Sequence, residues 1–227
     1  MKRYFSLIII SVALAACQNF TGDQGPVGPA GPQGPSAPSP APTAIQQIVD
    51  SENSYRATQG EAPLTPGLSC QVVAIASGTY LSSASPGYTA AEAIVTTGTT
   101  YSYLLSTSID QANVAGTAGN SLIDPGIASM FLTNNYRIIC TGVLVVTEDG
   151  WHSFSTSSDD GSLLYIDGAL VVDNDGAHGV QTVTGTKSLQ SSLTHTFQLD
   201  YAQSAGGNIA MILEMDGSVL PAANLYH

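Results

Sequence analysis

Residues 157–180 read SSDDGSLLYIDGALVVDNDGAHGV. Two apolar runs, Leu163-Leu164-Tyr165-Ile166 and Ala169-Leu170-Val171-Val172, flank Asp167-Gly168. Asp-Gly tolerates positive φ at both central positions of a type I′ turn, whose twist matches that of two paired strands. The stretch therefore predicts a tight antiparallel hairpin, with a structural role for Asp167. Apolar residues alternate on either side of it: Tyr101, Tyr103 and Leu105; Tyr136, Ile138 and Cys140; Leu193, His195, Phe197, Leu199 and Tyr201; Ile209, Met211, Leu213 and Met215. Cys70, Val72, Ala74 and Ala76 show the same period of two. Many short strands with Gly-rich turns predict an all-β antiparallel sandwich or barrel over residues 68–227. Asp124 to Asn134, which opens on Asp-Pro, is read as a helical turn or two.

The hairpin also decides where the chemistry lies. Ser157-Ser158-Asp159-Asp160-Gly161 enters it and Asp173-Asn174-Asp175-Gly176 leaves it. A two-residue turn sets the far ends of its strands side by side, so Asp159 and Asp160 are expected near Asp173, Asn174 and Asp175. Like charges gathered in this way are costly unless a cation sits among them. Oxygen donors without cysteine or clustered histidine select Ca²⁺. The competing reading makes Asp160-Gly161 and Asn174-Asp175-Gly176 turn formers only. His178 either reaches a ligand or orders its own loop. Trp151, placed near the cluster, either stacks on a ligand or joins the core, the role a tryptophan usually takes. His195 reads as a satisfied core residue.

The 227 residues carry 17 acidic against 5 basic side chains, a formal charge of −12. Such a chain repels a phosphate backbone, which excludes nucleic-acid binding. Residues 1–16 combine Lys2 and Arg3 with the apolar run Phe5 to Leu14, and Leu14-Ala15-Ala16-Cys17 follows. This resembles the lipobox of bacterial lipoproteins; an ordinary secretory signal is the alternative. The resemblance implies a lipid on Cys17, and Gln18 after it suits sorting to the outer membrane. Residues 17–43 contain GDQGPVGPAGPQGPS, with glycine at 22, 25, 28, 31 and 34. This is either a short collagen-like triple helix, making the protein a homotrimer, or a stiff single-chain Pro-rich linker. Ile45, Ile48, Val49 and Tyr55 predict a short helix within 44–57, forming a trimeric neck or packing on its own domain. The rest of 44–67 is loop. Once Cys17 is lipidated, Cys70 and Cys140 remain as a pair, and in an oxidising compartment they are expected to form a disulfide rather than stay two buried thiols.

The run CTGVLVVTEDGWHSFSTSSDDGSLLYIDGALVVDNDGAHG, residues 140–179, resembles the centre of the PA14 domain. In that family a strand and a Gly-containing turn precede an aromatic-rich strand, then Ser-Asp-Asp-Gly, then a short strand with Tyr-Ile-Asp-Gly. The alternating strand near 193–201 and the closing LPAANLY extend the resemblance over residues 68–227, with 136–180 the specific part. It implies a β-sandwich or barrel found in adhesins, glycosidases and toxins. In its lectin-like members two consecutive aspartates, joined by a cis peptide, bind Ca²⁺, and the ion binds sugar hydroxyls. Asp159 and Asp160 match that pair, whereas Asp173, Asn174 and Asp175 are assigned from the hairpin argument alone.

No HExxH, Gly-x-Ser-x-Gly, phosphate loop or zinc-ligand spacing is present. Adjacent aspartates in a turn lack the separation that glycoside hydrolysis needs. The expectation is thus a non-enzymatic, surface-displayed outer-membrane lipoprotein whose head binds glycans through Ca²⁺, with Asp159, Asp160, Asn174 and His178 at the ligand. The alternative is a structural envelope or fibre lipoprotein with a protein-binding head.

Overall fold

The computed structural model describes residues 43–74, 100–115, 122, 136–203 and 208–227. The signal segment, Cys17, the Gly-Pro stalk and the helical turns expected at 124–134 lie outside the described residues. The elements are α1 (Ala44–Gln59), β1 (Leu68–Ala74), β2 (Thr100–Leu105), β3 (Asp110–Ala115), β4 (Tyr136–Val145), β5 (Gly150–Asp159), β6 (Ser162–Ile166), β7 (Ala169–Asn174), β8 (Gln181–Leu189), β9 (Thr194–Gln203), β10 (Asn208–Met215), β11 (Ser218–Val219) and β12 (Leu225–Tyr226). They form two antiparallel sheets. The first runs β2-β1-β4-β9-β6-β7, with β12 also on β4; the second runs β11-β10-β5-β8, with β3 also on β10. Leu164, Ile166, Leu199 and Ile138 from the first sheet share one core with Phe154, Leu189, Met211 and Leu213 from the second.

The β6–β7 hairpin is as the sequence predicts. Ile166 faces Ala169, and Asp167 and Gly168 take φ of 53° and 70°. Val171 is a bulge, since Leu164 pairs with Val172 and Tyr165 with Leu170. The bulge matters because the Val171 carbonyl lies against Gly185 of β8, where a Cβ would sit 1.7 Å from its oxygen. Glycine within a strand allows such a close backbone approach, and here it lets the edges of the two sheets meet.

A second Asp-Gly turn, Asp216-Gly217 (φ 52° and 77°), joins β10 to β11. The two turns are anchored alike. Asp167 N–H donates to Thr196 O, and its carboxylate accepts from Thr196 N–H (3.0 Å) and contacts His195 Nδ1 (2.8 Å). Asp216 N–H donates to Ser153 O, and its carboxylate accepts from Ser153 N–H (2.9 Å) and contacts His152 Nδ1 (2.7 Å). His195 is buried as expected.

Helix α1 starts at Thr43, whose Oγ1 accepts Gln46 N–H (3.2 Å), and ends at Gly60 in the left-handed region. Its Val49 is buried with Leu64, Val145 and Tyr226, so the helix packs on its own domain. Cys70 and Cys140 face each other on β1 and β4 and are joined by a disulfide. Trp151 departs from the core reading. It points outward from β5 and is 76% exposed, while its neighbours His152 and Phe154 point inward. Among the described residues no helix is long and apolar enough to cross a membrane.

Candidate functional site

Strand β5 ends at Asp159, and the chain turns through Asp160 and Gly161 into β6. The peptide between Asp159 and Asp160 is cis. The Tyr201 hydroxyl donates to Asp159 O (2.6 Å) and Ala202 N–H to Gly161 O (2.9 Å), so β9 holds the turn from below. Burial pushes the Tyr201 phenol well up, which keeps it a donor. Sequence reasoning placed Tyr201 on an apolar face and missed this role; strand alternation gives its side but no hint of its partner.

Asn174 closes β7 directly opposite Ser162, which brings the exit loop to the same corner. Its amide nitrogen donates to Ser158 Oγ (2.9 Å) and Gln181 O (2.9 Å) and lies 3.3 Å from Thr156 O. Those contacts fix the amide, so its oxygen points the other way. Asp175 Oδ1 accepts Gly176 N–H (2.7 Å). Gly161 is what lets the two loops touch: a Cβ there would meet Gly176 N at 2.8 Å, Gly176 O at 2.9 Å and Asp175 Oδ1 at 3.0 Å. The loops are further tied by His178 N–H, which donates to Asp160 Oδ1 (3.1 Å). The His178 ring lies between Gly179 O (2.8 Å) and Asn174 O (3.2 Å), and the nitrogen that carries the proton donates to one of them and orders the loop. Asp173 stands apart. It is exposed, one residue out of phase with Asn174 on β7, and its Oδ1 faces Asp175 N–H at 3.4 Å. Side chains alternate across a strand, so Asn174 and Asp173 leave opposite faces.

Two oxygens at this corner stand out. Asn174 Oδ1 and Asp175 Oδ2 are buried and have no hydrogen-bond partner among the described residues. An unsatisfied buried acceptor costs about 1–3 kcal/mol, and such groups call for an explanation. The electrostatics agree. Burial, then the Asp160 charge, raises the Asp159 carboxyl above its ordinary value. Burial also raises Asp175; the Gly176 N–H lowers it, the Asp173 charge raises it, and His178 and Arg137 lower it less. Arg137 is itself ion-paired with Asp200 at 3.0 Å inside the protein. The charge at the corner is thus incompletely offset. Among the described residues no three His, Cys, Asp or Glu side chains are grouped to hold a metal. The donor set combines an amide oxygen with carboxylates, which suits a hard cation that accepts amide, carbonyl and carboxylate oxygen alike.

Two antiparallel sheets around one core, with an acidic turn pinned at the end of a central strand, define the class: an antiparallel β-sandwich module. Residues 125–218 match the family model of the PA14 domain. Strands β1–β3 and β12 lie outside the matched residues. No curated protein matches the sequence. Among solved structures, the PA14 domain of the MpAFP antifreeze protein is 18% identical with a TM-score of 0.54, over 73% of this chain and 92% of that one. The PA14 sugar-binding domain of an RTX adhesin is 22% identical with a TM-score of 0.54, over 72% and 99%. An anti-sigma factor domain-containing protein from Clostridium clariflavum is 18% identical with a TM-score of 0.51, over 71% and 47%. Residues 125–218 thus resemble the PA14 domain in sequence, and the chain shares the fold of two solved PA14 domains.

Proposed function

We propose that this domain is a Ca²⁺-dependent carbohydrate-binding module, without enzymatic activity, displayed on a bacterial outer membrane. One observation carries the reading: Asn174 Oδ1 and Asp175 Oδ2 are buried without a hydrogen-bond donor among the described residues, on the loop that His178 ties to Asp160. Hard oxygens left bare at one corner are what a calcium ion requires, and an ion with open coordination positions takes sugar hydroxyls as further ligands. Asp159, Asp160, Asn174 and Asp175 are the residues that would hold it once the two loops draw together, since no three carboxylates are grouped among the described residues. Asp173 contributes through its charge, and His178 keeps Asp160 and Asn174 together. A solved structure with the same fold is described as a sugar-binding domain of an adhesin, which supports the same use here. The lipid on Cys17 would anchor the module and the Gly-Pro segment would raise it. If that segment trimerises, three weak sites act together and gain avidity.

The test is calorimetric titration of the full chain with CaCl₂, followed by a glycan array in calcium and in EDTA. An affinity of about 10⁻⁴–10⁻³ M, typical of extracellular calcium modules, is expected. Asp160→Asn and Asp175→Asn should lose both calcium and sugar while keeping the wild-type circular dichroism. Sugar binding that survives EDTA would overturn the calcium requirement. Calcium binding with a silent array would favour a structural envelope lipoprotein whose head contacts proteins.

A further inference from the structure

Trp151 is the only tryptophan in the chain, and it lies fully outside the core. It begins the outward row of β5, which continues through Ser153, Ser155 and Ser157 to Asp159. The neighbouring strand β8 repeats the chemistry. Ser188 lies opposite Trp151, Thr186 opposite Ser153, Thr184 opposite Ser155, and Thr182 opposite Ser157. The four β8 residues are exposed. The second sheet therefore presents a double row of hydroxyls, bounded by an indole at one end and by the acidic corner at the other. Eight steps of extended chain separate Trp151 from Asp159, about 26 Å at the usual rise of a strand.

Each part of this face has a chemical counterpart. A serine or threonine hydroxyl both donates and accepts, so it meets a sugar hydroxyl in either sense. An indole presents a large apolar face to the C–H side of a pyranose ring. On the other flank of β5, Ile212 and Glu214 of β10 lie opposite Ser157 and Ser155, and Asp216 of the following turn lies beside Ser153. Glu214 accepts from Ser155 Oγ (2.8 Å), and Asp216 is held by His152. Acids along the rim, with no base among these outward positions, disfavour an anionic ligand.

We propose that the outward face of β5 and β8 is a track for an extended neutral glycan. One end of the chain lies at the Asp159–Asp160 corner, and a distal ring stacks on Trp151. The proposal rests on the carbohydrate reading above and adds chain length and neutrality to it. Because Trp151 is the sole indole, its emission reports occupancy of the far end directly.

The experiment titrates the full chain in calcium with neutral gluco- and galacto-oligosaccharides, from mono- to hexasaccharide, following tryptophan emission and calorimetry in parallel. The hexasaccharide should bind about tenfold more tightly than the monosaccharide, the scale of one aromatic contact, and should shift the emission to the blue. Trp151→Ala should remove most of the hexasaccharide's advantage and leave the monosaccharide unchanged. Thr184→Val with Thr186→Val should weaken long chains alone, and sulfated oligosaccharides should not bind. Affinity independent of chain length, or long-chain binding untouched by Trp151→Ala, overturns the track but leaves a calcium-dependent monosaccharide site standing. Absence of binding by every sugar of both series overturns the track together with the carbohydrate reading.

Discussion

Gly161→Ala tests the site at its narrowest point. The added methyl would meet Gly176 N at 2.8 Å, Gly176 O at 2.9 Å and Asp175 Oδ1 at 3.0 Å, where ordinary van der Waals contact begins at 3.4 Å. The exit loop must retreat by about 0.4–0.6 Å to regain that distance. Crowding of this kind costs about 1–3 kcal/mol of stability. The effect on an ion is sharper, because ligand distances in a metal site hold to about 0.2 Å and the Asp175 carboxylate rides on the loop that moves. We expect calcium affinity to fall at least tenfold. The assay is thermal unfolding by circular dichroism over a calcium series. At one hundred times the wild-type Kd, bound calcium stabilises the wild type by about 2.7 kcal/mol and a tenfold weaker variant by roughly half as much. A variant that melts lower without calcium yet keeps the full calcium-induced gain would refute the view that this close approach positions the ligands. Absence of any calcium effect on the wild type would refute the calcium site itself.

Gly185→Ala drives a methyl into the Val171 carbonyl, 1.7 Å from its oxygen. It should separate β7 from β8 at a cost above about 3 kcal/mol, and an unchanged urea midpoint would contradict that closure. Replacing Cys70 and Cys140 together by alanine removes a link across 70 residues; a loss of about 4 kcal/mol in denaturant unfolding is expected. The His152–Asp216 pair gives a pH dependence with two limits. For His152, burial lowers the pKa, but the hydrogen bonds and charges of Asp216 and Glu148 outweigh it, and the net value is raised above 6.5. The stabilisation is complete below that unfolded value and is lost as pH rises through the folded one. Asp216 is lowered from 3.8, chiefly by the His152 hydrogen bond, so its share is present above 3.8 and is lost as pH falls through the folded value. Asp216 is half exposed, which limits the pair to about 1 kcal/mol; Asp216→Asn should flatten the alkaline fall in melting temperature.

What the sequence disclosed follows the range of the interactions involved. The β6–β7 hairpin was legible because Asp167-Gly168 states its own turn and the flanking period of two states the rest. The identical Asp216-Gly217 turn carried the same signal and was open to the same reading. The helix was legible from Ile45, Ile48 and Val49, but not its partner, because the choice between packing on Val145 and pairing with other chains is a tertiary one. The disulfide followed from counting cysteines. Trp151 was misplaced for a physical reason: residue type favours burial, whereas strand phase, set by inward Phe154, turns position 151 to solvent. The close approaches at Gly161 and Gly185 depend on backbone atoms far along the chain, so the sequence shows the glycines without their neighbours.

The site itself depends on a distinction that residue type cannot supply. Asp167, Asp216 and Asp175 each directly precede a glycine, Asn174 stands one residue earlier, and by composition each is a turn former. Asp167 and Asp216 fulfil that role, since both oxygens of each carboxylate are taken by a backbone N–H and a histidine ring. Asn174 spends its amide nitrogen on Ser158 and Gln181, Asp175 spends one oxygen on its own turn, and each keeps an oxygen buried without a donor among the described residues. A structural acid saturates its acceptors, because each unsatisfied one costs as much as several surface contacts contribute. Retaining two of them at one corner, near an Asp159 carboxyl raised by burial and by the Asp160 charge, is sustainable when an outside ligand compensates. That is the physical difference between the two poles of this domain. At one, aspartates lock turns; at the other, an amide oxygen and a carboxylate oxygen are buried without a donor among the described residues.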